Sequence, residues 1–260
     1  MEATKLSQVE FNDNVIELKL VKGKLSEKKS VVYNKDGSVC KRHSNAKPGV
    51  SAEVYPFNED EVAKIISVLN SKIEKATSPA REKIARRNKL LAIVGLNSGL
   101  RASDIRLLTW RFFYDEYGKI RDFYSIEPYK TRKYKKFVKI FFNKAIVSAI
   151  NEYVNVYPID DYDANVFQSQ KGDDAIEVHT IYDVIKKASA EAGIQKNVGS
   201  HSLRKTWGFT VWHNADDKEK ALVVLQQCFN HSSTLVTARY IGIMDSEVSD
   251  MFNSVNIGYC

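Results

Sequence analysis

Apolar positions recur along this chain in two rhythms, and the change of rhythm marks its organisation. Near the N-terminus, Val15-Ile16-Glu17-Leu18-Lys19-Leu20-Val21 alternates like a strand. Val31-Val32-Tyr33 and Ser38-Val39-Cys40 flank Asn34-Lys35-Asp36-Gly37, a hairpin-turn sequence. The polar residues 41–51, with Pro48-Gly49, read as a linker. Beyond them the spacing turns helical. Asn58-Glu59-Asp60-Glu61 has the form of a capping box, and Val62, Ile65, Ile66, Leu69 and Ile73 follow on one face. A second helix is expected over residues 84–96, ended by Asn97-Ser98-Gly99, then a short one carrying Ile105 and Leu108. Residues 120–127 and 136–142 read as two strands.

Asn143 is placed to cap a helix bearing Ile146, Ile150 and Val154, and residues 158–176 are mostly loop. Ile181, Val184, Ile185 and Ala188 form another stripe, stopped by Gly193. Ser200 is the expected N-cap of a helix over residues 201–213. Ala221, Leu222, Val224, Leu225 and Cys228 mark the next helix, and Ser232-Ser233 opens a short segment ending at Tyr240. Val248, Met251, Phe252 and Val255 give a last amphipathic stripe. The expectation is a mainly α fold with a small antiparallel β-sheet (α+β). Residues 1–55 form a β-like extension and linker, and residues 56–260 one domain with a C-terminal tail helix.

The 260 residues suit one large domain with a small extension, at about 100–200 residues per domain. Thirty-nine basic against 32 acidic residues leave +7, which is compatible with a nucleic-acid partner. Location says more than the total. Residues 130–139 hold Lys130, Arg132, Lys133, Lys135, Lys136 and Lys139 and no acid. Tyr129, Tyr134 and Phe137 among them favour a surface that tracks phosphates. A second basic run, residues 81–89, contains Arg86 and Arg87, and charge alone is equally content with a solvated face there. Cys40, Cys228 and Cys260 are far apart, without a C-x-x-C, so neither a disulfide framework nor a zinc site is expected. No apolar run approaches the roughly 18–20 residues of a membrane span, and no apolar core follows Met1-Glu2-Ala3-Thr4-Lys5. A reducing, cytoplasmic setting is expected.

Candidate chemistry gathers in a few stretches. In His201-Ser202-Leu203-Arg204, positions 201 and 204 share a helix face at its N-terminal end, where an anion such as phosphate is favoured. Gly99-Leu100-Arg101-Ala102-Ser103-Asp104 sets an arginine in a tight turn between apolar helices, with Asp104 as an available partner. Asn230-His231-Ser232-Ser233 precedes Arg239-Tyr240-Ile241-Gly242, with nine residues from His231 to Tyr240. Each stretch alone fits an ordinary structural role; their order and joint presence are specific.

In that order the chain resembles the tyrosine recombinase (phage integrase) family, over roughly residues 56–255. The family's arginine in a G-L-R turn, hairpin lysine, H-x-x-R, histidine and tyrosine are matched by Arg101, Lys130, His201, Arg204, His231 and Tyr240. Lys133 is the second choice for the lysine. The resemblance implies metal-independent phosphoryl transfer with no cofactor. Arg101 and Arg204 would grip the phosphate, and Tyr240 would attack it. His201 would act as base, His231 as a hydrogen-bond donor to the phosphate and Lys130 as general acid. Arg132, Lys133, Lys135, Lys136, Arg86, Arg87 and Lys205 are the candidate DNA contacts. Lys205 and Trp207, beside the H-x-x-R, suit positioning or packing better than chemistry.

Implied partners are double-stranded DNA at a specific site, a homo-tetramer on that DNA (residues 245–256 being one candidate contact) and accessory DNA-bending proteins. The implied function is integration or excision of a mobile element, in the cytoplasm at the nucleoid of a prokaryotic host. The alternatives are a non-catalytic DNA-binding regulator on the same fold and a type IB-like topoisomerase. The chain departs from the family pattern at its N-terminus, where a helical DNA-clamping domain is usual and residues 1–55 look β-like.

Overall fold

The computed structural model describes residues 53–129, 137–170, 172, 174–243 and 252–255. The expected N-terminal strands and hairpin, the 130–136 basic run and most of the 245–256 stripe lie outside these residues. The described elements are, in order, helices α1 (Glu59–Glu74), α2 (Pro79–Ser98), α3 (Ala102–Ile105) and α4 (Trp110–Phe113), strands β1 (Phe123–Ile126) and β2 (Val138–Phe141), and helices α5 (Lys144–Val154), α6 (Val178–Glu191), α7 (Ser200–His213), α8 (Lys218–Phe229) and α9 (Thr234–Ile241). This is the expected mainly helical fold with one small sheet. Among the described residues no helix is long and apolar enough to cross a membrane.

Local signals account for most boundaries. Asn58 and Glu61 close a reciprocal capping box on α1, both hydrogen bonds being 2.8 Å. Asn143 caps α5, and Gly99 ends α2 in the left-handed conformation at φ 63°. Several boundaries differ from expectation, and α3 ends at Ile105, leaving Leu108 outside it. Helix α2 starts at Pro79, behind the Ser78 cap, because its exposed first turn carries no apolar signal. Helix α7 starts one residue early: Gly199 is the N-cap, and Ser202 Oγ accepts its N–H at 3.1 Å. The strands are half the expected length, since Ile120 bridges to Tyr114 rather than extending β1. The sheet is antiparallel, pairing Phe123 with Phe141 and Ile126 with Val138. Helix α4 was not expected, because four residues are too few to show a helical period.

Two close helix approaches position everything that follows. Helix α2 supplies Leu90, Leu91 and Val94 to the largest core cluster, with Phe113, Ile146, Ile150, Phe167 and Ile181. Its Ala92 faces a second cluster holding Ile65, Leu69, Ile185 and Leu203. At Gly95 a Cβ would fall 2.5 Å from Leu203 Cδ1, so α2 and α7 touch there, one turn before the Gly99 turn and one residue before Arg204. On the other side of α7, Leu225, Phe229, Ala238 and Ile241 form a third cluster with Trp207 against them. There a Cβ on Gly208 would lie 2.7 Å from Phe229 Cζ and 2.8 Å from Ile241 Cγ2.

Gly208→Ala tests that approach. Helix propensity alone favours alanine by about 1 kcal/mol. Overpacking of a tight core costs about 1–3 kcal/mol, and Phe229 and Ile241 are fully buried with little room to yield. The expected outcome is a lower melting temperature; an unchanged or higher one would show that the contact gives way easily.

Candidate active site

The site is organised by a backbone atom. Helix α8 ends at Asn230, whose φ of 55° turns the chain away and leaves the Phe229 carbonyl without an intrahelical partner. Arg101 Nη2 donates to that oxygen at 3.0 Å, and Arg204 Nη2 at 3.3 Å. Arg204 Nη1 also donates to the Gly99 carbonyl, and its guanidinium lies 4.3 Å over the centroid of the Phe229 ring. The negative end of the α8 dipole favours both cations. Two like charges are thereby held side by side, one half-buried and one (Arg204) only 4% exposed. Burial and the neighbouring Arg101 lower the Arg204 pKa to about 10, which still leaves it charged at neutral pH.

Around this pair sit the remaining groups. Tyr240, on α9, places its hydroxyl 3.2 Å from His201 Nδ1. Its ring meets Phe229 edge-to-face at 5.4 Å and His231 at 5.1 Å. Burial raises the Tyr240 pKa, and the pull of Arg204 and Arg101 only partly offsets this. Desolvation outweighs the cations, and the phenol stays protonated unless a base such as His201 takes the proton.

His231 also differs from expectation. Thr237 Oγ1 donates its proton to the Ser233 carbonyl at 3.2 Å, so it accepts from His231 Nδ1–H at 3.1 Å. Nε2 then carries the lone pair. Burial, Arg204 and Arg101 lower the His231 pKa to about 4, so the ring is neutral at neutral pH.

Other expected residues are placed elsewhere. Asp104 does not pair with Arg101; its Oδ1 accepts from the Tyr129 N–H at 2.8 Å, tying α3 to the residue before Lys130. Arg87 is corrected as a DNA contact. It is 6% exposed, and donates to the Gln168 carbonyl and to Asn88 Oδ1. Arg86 pairs with Glu82 at 2.8 Å, and Glu152 of α5 lies 3.9 Å from it, so Arg86 joins α2 to α5, while Arg81 and Lys83 of the same run are exposed. Lys205 is buried too, and pairs with Glu53 at 3.1 Å. Lys130, Arg132, Lys133, Lys135 and Lys136 lie outside the described residues. Phe229 and Thr237 escaped the sequence reading, Phe229 because it acts through a main-chain oxygen that no side-chain motif records.

A cleft of about 360 Å³ opens beside the arginines, lined by Gly99, Arg101, Asp104, Arg204, Trp207 and Cys228 among others. Among the described residues no cluster of three or more His, Cys, Asp or Glu side chains gathers. What the site offers is fixed positive charge, a phenol and two imidazoles, a set suited to a phosphate ester.

Comparison with known proteins agrees. The Phage integrase family model matches residues 57–247, and the chain belongs to that family of tyrosine-type site-specific recombinases. The Bacillus subtilis (strain 168) protein "Probable integrase/recombinase YoeC" is 32% identical over 158 residues, which cover 61% of this chain and 78% of that one. The structure of XerA recombinase superposes with a TM-score of 0.56 at 21% identity, over 82% of this chain and 68% of that one. A lambda integrase dimer bound to a COC' core site gives 0.51 at 13% identity, over 74% of this chain and 49% of that one. At such identities the two structures bear on the fold.

The His231 environment makes a pH prediction. Its folded pKa lies below the unfolded value of about 6.5, so the unfolded chain takes up this proton first. Stability is then expected to fall as pH drops from about 6.5 towards 4, and His231→Gln to flatten that part of the profile. Melting temperature against pH reads it; a profile that the substitution leaves unchanged would mean the ring titrates normally.

Proposed function

We propose that this recombinase cleaves and rejoins DNA through Tyr240. The carrying observation is the Tyr240 hydroxyl 3.2 Å from His201 Nδ1, beside two guanidiniums that share one carbonyl. In this reading a DNA phosphodiester enters with its non-bridging oxygens on Arg101 and Arg204. Tyr240 Oη attacks phosphorus as His201 accepts the phenol proton. The P–O5′ bond breaks, and Lys130 supplies the proton for the leaving 5′-hydroxyl. The product is a 3′-phosphotyrosyl ester, which keeps the energy of the broken bond and allows ligation to a new 5′-hydroxyl without ATP.

The arriving phosphate also bears on His231. Its negative charge offsets the two guanidiniums that hold the ring neutral, so binding favours the imidazolium and an Nε2–H directed at the ester. DNA as partner is supported by relatives crystallised on it, such as XerH on a palindromic difH substrate. A non-catalytic regulator fits less well, because neither arginine nor the tyrosine is missing and the described members of the set converge. Assembly as a tetramer, accessory DNA-bending proteins and action on a mobile element belong to the same proposal.

A suicide duplex, nicked near the scissile ester and built from DNA flanking the coding sequence, tests this. Wild type is expected to trap a covalent protein–DNA adduct and Tyr240→Phe none. An adduct surviving in Tyr240→Phe would displace this residue as nucleophile. Arg101→Ala and Arg204→Ala are each expected to cost about 10²-fold or more in adduct formation, the order seen when one transition-state donor is lost. Gel-shift affinity should change far less, since other phosphate contacts remain.

A further inference from the structure

Helix α7 presents His201, Arg204, Lys205 and Gly208 on one face, at spacings of three and four residues. The first two serve the reaction proposed above, and Gly208 makes room for Phe229. Lys205 has no part in that mechanism, yet it too is buried and held between an acid and an aromatic ring. Its side chain is 7% exposed, its Nζ lies 5.4 Å from the centroid of the Tyr240 ring, and it pairs with Glu53 Oε1 at 3.1 Å. Glu53 belongs to a strap, residues 53–57, that runs into α1.

The strap is bound along its length to the elements that carry the site. The Tyr55 N–H donates to the Asn197 carbonyl at 3.0 Å, and Asn197 Nδ2 donates to the Glu53 carbonyl at 2.7 Å. The Phe57 N–H donates to Thr206 Oγ1 at 2.7 Å, in the core, next to Lys205. Pro56 reaches the far end of α9: a Cβ built on Gly242 would lie 3.7 Å from Pro56 Cδ. The strap thus touches both the helix bearing His201 and Arg204 and the cap that ends the helix bearing Tyr240. A surface ion pair would be worth little. Here the ammonium is buried against the ring, and its counter-charge comes from 152 residues away in the chain.

We propose that Lys205 and Glu53 are positioning residues for Tyr240. The Lys205 ammonium holds the phenol ring and favours its ionised form, and the strap governs that field through Glu53, which neutralises the cation when docked. This rests on the reading of Tyr240 as nucleophile. The charged and titratable groups facing the phenol are then His201, Arg204 and Lys205 from α7, Arg101 from the turn before α3, and His231 from the loop before α9, with Glu53 behind Lys205. Among them Glu53 is the one acid, so loss of its charge and loss of the Lys205 charge act in opposite directions.

That opposition is the test. In the full chain carrying isotope-labelled tyrosine, the Tyr240 ring carbon bearing the hydroxyl is assigned by its disappearance in Tyr240→Phe and titrated by NMR without DNA. Lys205→Met keeps the stem and removes the charge; it is expected to move the titration up by about one pH unit, as a unit charge at this distance does. Lys205→Arg restores it, and Glu53→Gln, at an exposed residue that leaves folding intact, moves it down. The rising limb of adduct formation against pH on the suicide duplex should shift in the same two directions. Shifts in the same direction for Lys205→Met and Glu53→Gln, or none, would overturn the proposal and leave the strap as packing. An adduct persisting in Tyr240→Phe would instead remove the nucleophile assignment, a failure the DNA-free titration distinguishes.

Discussion

One carbonyl oxygen sets the geometry of this protein's site. The Phe229 C=O lies at the end of α8, where helix geometry guarantees an acceptor with no partner of its own and the dipole makes it negative. Two guanidiniums from distant parts of the chain, Arg101 and Arg204, meet on it. Without that shared acceptor, two neighbouring cations in a partly buried site would repel and turn towards solvent. The left-handed Asn230 that ends the helix, the Gly95 and Gly208 contacts that let three helices close up, and the Gly99 turn all serve to bring those groups to that atom.

The same concentration of charge decides the protonation of everything nearby. It makes His231 a weak base, near 4, and keeps its ring neutral with Nδ1–H committed to Thr237. It does not ionise Tyr240, because removing the phenol from water outweighs the attraction of the arginines. The free site is thus a positive cage around a protonated phenol, with His201 within hydrogen-bonding distance of it. An arriving phosphate supplies what the cage lacks, a negative charge. In the proposed reaction, binding and activation are thereby coupled through charge.

Two tethers connect the cage to the rest of the chain. Asp104 receives the Tyr129 N–H and so fixes the chain one residue ahead of the lysine expected in the hairpin. The strap of residues 53–57 lies against α7 and the end of α9 and brings Glu53 to Lys205. Both use contacts between segments separated in the chain, 25 residues apart for Asp104 and Tyr129 and 152 for Lys205 and Glu53, so both depend on tertiary packing.

What the sequence determined by itself was local. Caps at Asn58, Asn143 and Ser233, the left-handed glycine at 99 and the apolar periods of α1, α5 and α6 follow from interactions within a few residues, which is why they were legible. The order of Arg101, His201, Arg204, His231 and Tyr240 was legible for another reason: the chemistry restricts each place to one or two residue types, and five of them in sequence are a rare coincidence. The tertiary structure alone decided which charges are available. Arg87 and Arg204 are both arginines on apolar helices, yet one is turned to the Gln168 carbonyl and the other to the cage. Lys205 read as a DNA contact or a positioning or packing residue with no partner named, until α7 placed it against Tyr240 and the strap brought it an acid. A residue's charge is written in the sequence, but its burial and its partner depend on which face of which helix packs against what, and no local pattern carries that.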